Sequence, residues 1–82
     1  MEYSTLGIDM EETGSRIAEA CRKQGLTIRG LQTLFGFAAP NAIYRWLRGK
    51  TLPTVDHLVI LAHALQVPVD ELLVLKKKKA EH

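Results

Sequence analysis

The chain has 82 residues, of which 46% are hydrophobic and 24% are charged. This length gives one small domain, and this balance is typical of a folded soluble protein rather than a disordered one. A single cysteine, Cys21, excludes an intrachain disulfide and fits a reducing cytoplasm. No apolar run approaches the roughly 20 residues that span a bilayer. The acidic N-terminus lacks the basic start and apolar stretch of a signal peptide, so we expect a cytoplasmic protein that does not contact membranes.

The charged residues are unevenly distributed, although the net charge is only +2. Residues 1–19 hold five carboxylates and one arginine. Residues 20–55 hold no carboxylate and six basic side chains, which are Arg22, Lys23, Arg29, Arg45, Arg48 and Lys50. A segment of this kind predicts one positive surface, which would attract a polyanion. The alternative is a chance cluster of solvated side chains.

Glycine and proline divide the chain into five predicted helices. The first spans about Met10 to Gln24 and has Ile17, Ala20 and Cys21 on its apolar face. The residue at which this helix begins is undecided, because with the Thr-Gly pair at residues 13–14 the helix could begin only after that pair.

The second helix is predicted from Ile28 to Phe35, after Thr27 as N-cap, and it ends at Gly36. Its inward side chains are expected to be Ile28, Leu31, Leu34 and Phe35. The third helix follows a tight connector, begins at Pro40 and runs to about Arg48.

Two further helices are predicted at 55–65 and 69–75, which Thr54 and Pro68 begin. The inward positions of the fourth are expected to be Val55, Leu58, Val59, Leu61, Ala62 and Leu65. Five helices with short connections describe a compact all-α bundle. We expect the folded domain to cover residues 13–75, after an N-terminal segment of residues 1–12 and before a flexible basic tail of residues 76–82.

The third helix carries the strongest functional signal. Ile43, Trp46 and Leu47 form its only apolar stripe, so they should face the core. The positions left to face outward are Asn41, Ala42, Tyr44, Arg45 and Arg48. An α-helix fits the major groove of DNA, where arginine and asparagine can bridge the edges of guanine and adenine.

The predicted contacts to DNA therefore fall into two groups. The predicted base contacts are Asn41, Ala42, Tyr44 and Arg45; the predicted phosphate contacts are Thr27, Arg29, Arg48 and Lys50. Each has a local alternative, because Asn41 and Thr27 could simply cap their own helices and the cations could be solvated surface groups.

The order of these features resembles the helix-turn-helix domain of phage Cro and lambda-type repressors, the XRE family. The residues that carry the resemblance are Ile17, Arg22, Gly25, Leu26, Thr27, Leu31, Gly36, Ile43, Trp46, Gly49, Pro53, Leu58, Leu61, Ala62, Leu65, Val67 and Leu72. The resemblance implies a five-helix lambda-repressor-like bundle with the helix-turn-helix at helices two and three. It also implies a bacterial or phage transcriptional regulator that binds double-stranded DNA, usually as a homodimer.

Four features depart from the usual family pattern. Ile28 stands where a phosphate-binding glutamine is common, Gln32 where alanine is common, and Leu47 where glutamate is common. The connector between the second and third helices is one residue longer. Because Ile28 cannot contact phosphate, a protein-interaction module or an antitoxin-type partner remains an alternative function.

The other reactive residue types indicate no enzyme, cofactor, metal site or small-molecule ligand. His57 and His63 are six residues apart, which does not place them on one helical face as metal ligands, so both are expected at the surface. Cys21 is expected to be a small buried apolar residue.

The sequence leaves the roles of two features outside the helix-turn-helix undecided. The Lys76–Lys79 run could add salt-sensitive affinity for DNA, but the sequence favours a solvated tail. The apolar candidates for a dimer interface are Leu6, Ile8, Met10, Leu72, Leu73, Val74 and Leu75.

Overall fold

The computed structural model describes residues 7–76. Most of the predicted basic tail and the first six residues of the predicted N-terminal segment lie outside the described residues. The elements in chain order are α1 (Met10–Gln24), α2 (Ile28–Phe35), α3 (Asn41–Leu47), α4 (Val55–Leu65) and α5 (Val69–Leu72). These helices confirm the prediction of an all-α, five-helix bundle. Across the described range, no helix is long and apolar enough to cross a membrane.

Side-chain caps fix where three of the helices begin. The Asp9 carboxylate accepts a hydrogen bond from the Glu12 backbone N–H at 3.0 Å, so α1 begins at Met10. Residues 13 and 14 therefore lie inside the helix. Thr27 and Thr54 cap α2 and α4 in the same way. Each of these side chains pairs one of the backbone donors that a helix N-terminus leaves without a partner.

The core is formed by apolar side chains from all five helices. Its buried members are Ile17, Cys21, Leu31, Ile43, Trp46, Leu61, Ala62, Leu65 and Leu72. Burial raises the pKa of the Cys21 thiol, because the charged thiolate would lose its hydration. The thiol therefore stays neutral and packs as an apolar group, as predicted.

The inward face of α4 is narrower than its sequence suggests. Val55 is 76% exposed and Val59 is 51% exposed, so their predicted inward positions are wrong. Leu34 of α2 is also exposed, against the prediction. α4 packs mainly against α1 and α5, so the neighbouring helices bury Leu61, Ala62 and Leu65 and cover Leu58 in part.

The C-terminal end of the domain is extended rather than helical. α5 ends at Leu72, three residues earlier than predicted. The Val74 backbone N–H donates to the Thr13 hydroxyl at 3.0 Å, and the Val74 carbonyl accepts from the Asp9 N–H at 2.7 Å. These tertiary hydrogen bonds replace the helical ones, and they hold residues 73–76 along the start of α1.

Four rings form an aromatic cluster between α2, α3 and α4. Phe35, Phe37, Trp46 and His57 lie with ring centroids 5.0 to 6.0 Å apart. His57 is half-buried in this cluster, so its predicted surface position is wrong, whereas His63 is exposed as predicted. The edges of aromatic rings pack well against the faces of neighbouring rings, which gives the imidazole a packing role.

α1 and α3 cross at Gly14. A Cβ atom on Gly14 would lie 2.6 Å from the carbonyl oxygens of both Trp46 and Leu47. The two backbones can approach this closely only because Gly14 has no side chain.

Candidate nucleic-acid interface

A short connector joins α2 to α3. α2 ends at Gly36, which has a φ of 68° and is followed by the hydrogen bond from the Phe37 N–H to the Gln32 carbonyl at 3.0 Å. Residues 37–40 then lead into α3. Glycine accommodates the left-handed backbone that closes the helix.

Gln32 stabilises this connector. Its side-chain amide donates a hydrogen bond to the Ala38 carbonyl at 3.3 Å. Gln32 and the extra connector residue are two of the departures from the usual XRE pattern, and the Gln32 side chain contacts the connector. Sequence reasoning missed this pairing, although the two departures lie in the same turn.

The core fixes the orientation of α3. Ile43 is fully buried and Trp46 is 5% exposed, so both anchor the helix inward as predicted. Tyr44 is 42% exposed, and Arg45 is exposed beside it. Since successive residues of an α-helix are 100° apart, burial of Ile43 and Trp46 directs Tyr44 and Arg45 outward.

Three of the four predicted base contacts share one exposed surface. Asn41, Tyr44 and Arg45 line a shallow concavity together with Arg48. The Arg48 guanidinium carbon lies 5.6 Å from the centroid of the Tyr44 ring, which is a cation–π distance. Ala42 is different: it is half-buried and packs against the core, so its expected outward position is wrong.

The predicted phosphate contacts are exposed around the same helices. Arg29, Arg48 and Lys50 are exposed, and in residues 7–76 none of them lies within 4.0 Å of a carboxylate. The Lys50 N–H donates to the Arg45 carbonyl at 2.8 Å, which ties the turn after α3 to the helix. The Thr27 hydroxyl accepts a hydrogen bond from the Gly30 N–H at 3.0 Å. The Thr27 side chain therefore caps α2, which is the alternative that the sequence left open for it.

One border of this surface is acidic, which the sequence did not indicate. A Cβ atom on Gly49 would lie 2.8 Å from the Cα atom of Glu11, so the first turn of α1 packs against the turn after α3. Glu11 and Glu12 are both exposed there. The segment of residues 20–55 has no carboxylate in sequence, but it has acidic neighbours in space.

Within residues 7–76, no group of three or more His, Cys, Asp or Glu side chains is arranged to hold a metal ion. The roles assigned to individual residues of α2 and α3 stay predictions.

Comparisons with known proteins agree with this geometry. The helix-turn-helix family model matches residues 17–72. The restriction-modification controller protein C.AhdI from Aeromonas hydrophila superposes with a TM-score of 0.67 at 26% identity, over 78% of this chain and 96% of that one. The DNA-binding domain of BldD gives a TM-score of 0.65 at 27% identity, over 90% of this chain and 100% of that one. A comparison with curated proteins finds no match.

The matched segment contains α2, the connector and α3, as well as the anchors Ile43 and Trp46. It covers more than half of the chain. The chain therefore belongs to the XRE-type helix-turn-helix family of DNA-binding regulators.

Proposed function

We propose that the protein is a transcriptional regulator that binds specific sequences of double-stranded DNA with α3 in the major groove. The observation that carries this proposal is the orientation of α3: Ile43 and Trp46 are buried, and Tyr44 and Arg45 project from the same helix into solvent. A repressor-like mechanism follows, in which occupancy of a site changes the access of RNA polymerase. Such a protein acts in the cytoplasm, on bacterial or phage DNA.

The proposed contacts divide into base readers and phosphate contacts. Asn41, Tyr44 and Arg45 carry groups that can hydrogen-bond base edges, and Ala42 would be limited to an apolar contact at the side of the helix. Arg29, Arg48 and Lys50 would bind phosphates, which position the protein but carry no direct sequence information. Thr27 would contribute through the N-terminus of α2, since its hydroxyl already caps that helix.

Substitution of Arg45 and Lys50 tests this division. We expect Arg45→Ala to cost about 1–3 kcal/mol on the preferred site and to relax the preference at one base pair. Lys50→Ala should weaken binding to all sequences about equally and reduce the slope of log K against log salt by about one. The measurement is fluorescence anisotropy on a duplex selected from random DNA and on an unselected duplex. Equal, sequence-independent losses from both substitutions would refute the division.

We also propose that the regulator acts as a homodimer, with two half-sites about 34 Å apart on the DNA. Support comes from exposed apolar side chains on α4, which are Val55, Val59 and Ile60. Leu75, one of the sequence candidates, is also exposed. Leu72 is buried and therefore wrong as a candidate; Ile8, Met10, Leu73 and Val74 are half-buried, and Leu6 lies outside the described residues.

A charge placed on α4 tests the dimer. We expect Val59→Asp to shift the protein from dimer to monomer in sedimentation velocity, because an apolar contact would have to bury a carboxylate. Ser15→Asp is the control: Ser15 is exposed on α1, on the side opposite the buried residues of that helix, and the substitution should leave the assembly state unchanged. A wild-type protein that sediments as a monomer at micromolar concentration would contradict the dimer.

The alternative function is a protein-interaction module with the same fold. The loss of the usual glutamine at Ile28 favours it, since α2 then begins without a phosphate contact. A salt series separates the two functions, because a DNA-binding protein loses affinity linearly in log–log form as salt rises. A protein that binds no duplex at low salt would support the alternative.

A further inference from the structure

The helix that carries the predicted base contacts begins without a side-chain cap. The side chains of Asp9, Thr27 and Thr54 accept hydrogen bonds from the first turns of α1, α2 and α4. The residue before α3 is Pro40, whose side chain has no oxygen or nitrogen that could accept such a bond. The position of the first residue of α3, Asn41, therefore depends on how the connector before it is held.

Gln32 holds this connector at two successive residues. Its backbone carbonyl accepts a hydrogen bond from the Phe37 N–H at 3.0 Å, and its side-chain amide donates to the Ala38 carbonyl at 3.3 Å. The Phe37 ring is also fixed by packing, because it stacks on Phe35 in the aromatic cluster. Ala38 is exposed, and within residues 7–76 the Gln32 amide is the one side-chain group that hydrogen-bonds to the connector.

A displacement of Ala38 would be passed on to Asn41. Two residues separate them, and the ring of one of these, Pro40, restricts its own φ, which is −87° here. Asn41 is exposed and lines the same concavity as Tyr44 and Arg45. An asparagine can bind adenine through two hydrogen bonds at once, and each weakens steeply when its angle departs from linear. The position of the connector therefore sets how well Asn41 can contact a base.

We propose that Gln32 is a positioning residue for DNA recognition: its side-chain amide holds the Ala38 carbonyl and thereby places Asn41 for a base contact. The inference rests on the proposed DNA binding and gives a residue of α2 a part in its sequence preference. Gln32 is uncharged and neutralises no phosphate, so it acts on the preference between sequences and leaves the salt dependence unchanged.

Gln32→Met tests the proposal in the full chain, because it removes the amide donor but keeps an unbranched side chain of similar length. We expect the ratio of the affinities for a selected and a random duplex to fall roughly two- to tenfold, the effect of one hydrogen bond. The slope of log K against log salt should not change. Gln32→Ala, which introduces the residue common in the family, is a second variant and should lower the ratio in the same way.

Thr33→Val is the matched control. Thr33 is the next residue of α2 and is exposed, and the substitution removes a polar group at nearly constant size. The affinity ratio should stay at the wild-type value. Urea unfolding followed by circular dichroism checks that all three variants are folded under the conditions of the binding measurement.

A double-mutant cycle with Asn41→Ala shows whether Gln32 acts through Asn41. Asn41→Ala alone should lower the affinity ratio, and adding Gln32→Met should then lower it by less than about twofold, because the contact that Gln32 positions is already gone. Equal losses from Gln32→Met with and without Asn41 would mean that Gln32 contacts the DNA itself or positions other residues, and the proposal would be overturned.

Two further results overturn the proposal but leave the proposed function intact. One is an unchanged affinity ratio in folded Gln32→Met and Gln32→Ala proteins, and the other is a wild-type ratio in the Asn41→Ala protein. If the wild type instead binds no selected duplex better than a random one, sequence-specific DNA binding itself is refuted.

Discussion

Trp46→Ala is expected to destabilise the domain by about 3–5 kcal/mol, the range for truncation of a buried aromatic side chain. Trp46 is 5% exposed and contacts the rings of Phe35, Phe37 and His57. Its loss would leave a cavity in the middle of the aromatic cluster and remove an inward anchor of α3. Since small domains are stable by only about 5–15 kcal/mol, a large part of the population could unfold.

Urea unfolding followed by circular dichroism measures this effect, because the variant has no other tryptophan to report by fluorescence. Tyr44→Ala is the matched control: it removes an aromatic side chain from the same helix, but an exposed one, and should change stability by less than about 1 kcal/mol. If the two variants unfold at the same urea concentration, Trp46 does not anchor α3 in the core.

Gly14→Ala is expected to destabilise the domain by several kcal/mol, although the helix alone would predict the opposite sign. Alanine in place of glycine inside a helix usually stabilises it by roughly 0.5–1 kcal/mol. Here the added methyl group would lie 2.6 Å from two backbone carbonyl oxygens of α3. Backbone atoms cannot rotate away, so α1 and α3 must separate, which disrupts the packing of both helices.

Gly30→Ala provides the control, because Gly30 also lies inside a helix. Its added Cβ atom would meet only side-chain atoms of Leu26 and Thr27, at 3.3 Å. Adjustment of these side chains should keep the net change within about 1 kcal/mol. Thermal unfolding measures the stability of both variants. A Gly14→Ala protein as stable as the wild type would show that the α1–α3 crossing can relax.

Trp46 and Gly14 also show how much of the fold could be predicted from the sequence alone. The apolar spacing of Ile43 and Trp46 on a short helix was enough to predict the inward face of α3, because a helix repeats every 3.6 residues whatever it packs against. The same periodicity did not reveal Gly14, which looked like an uncertain helix start. Its importance comes from a backbone of another helix, and no local pattern carries that information.

The wrong predictions for the inward face of α4 and for the end of α5 have a related cause. Val55 and Val59 continue the apolar pattern of α4, but burial depends on whether a neighbouring helix covers them, and no other helix within residues 7–76 does. Leu73 and Leu75 are good helix formers, yet the backbone of residues 73–75 pairs with Thr13 and the residues before α1. These hydrogen bonds between distant parts of the chain override the local helix propensity of the two leucines.

The five helices, their caps and the inward anchors of α3 follow from the amino-acid order, because each depends on residues within a few positions of one another. Packing of the helices set which apolar side chains stay exposed, and it placed Glu11 against the turn after α3. Most of these are contacts between segments far apart in the chain, and they form only when the helices come together.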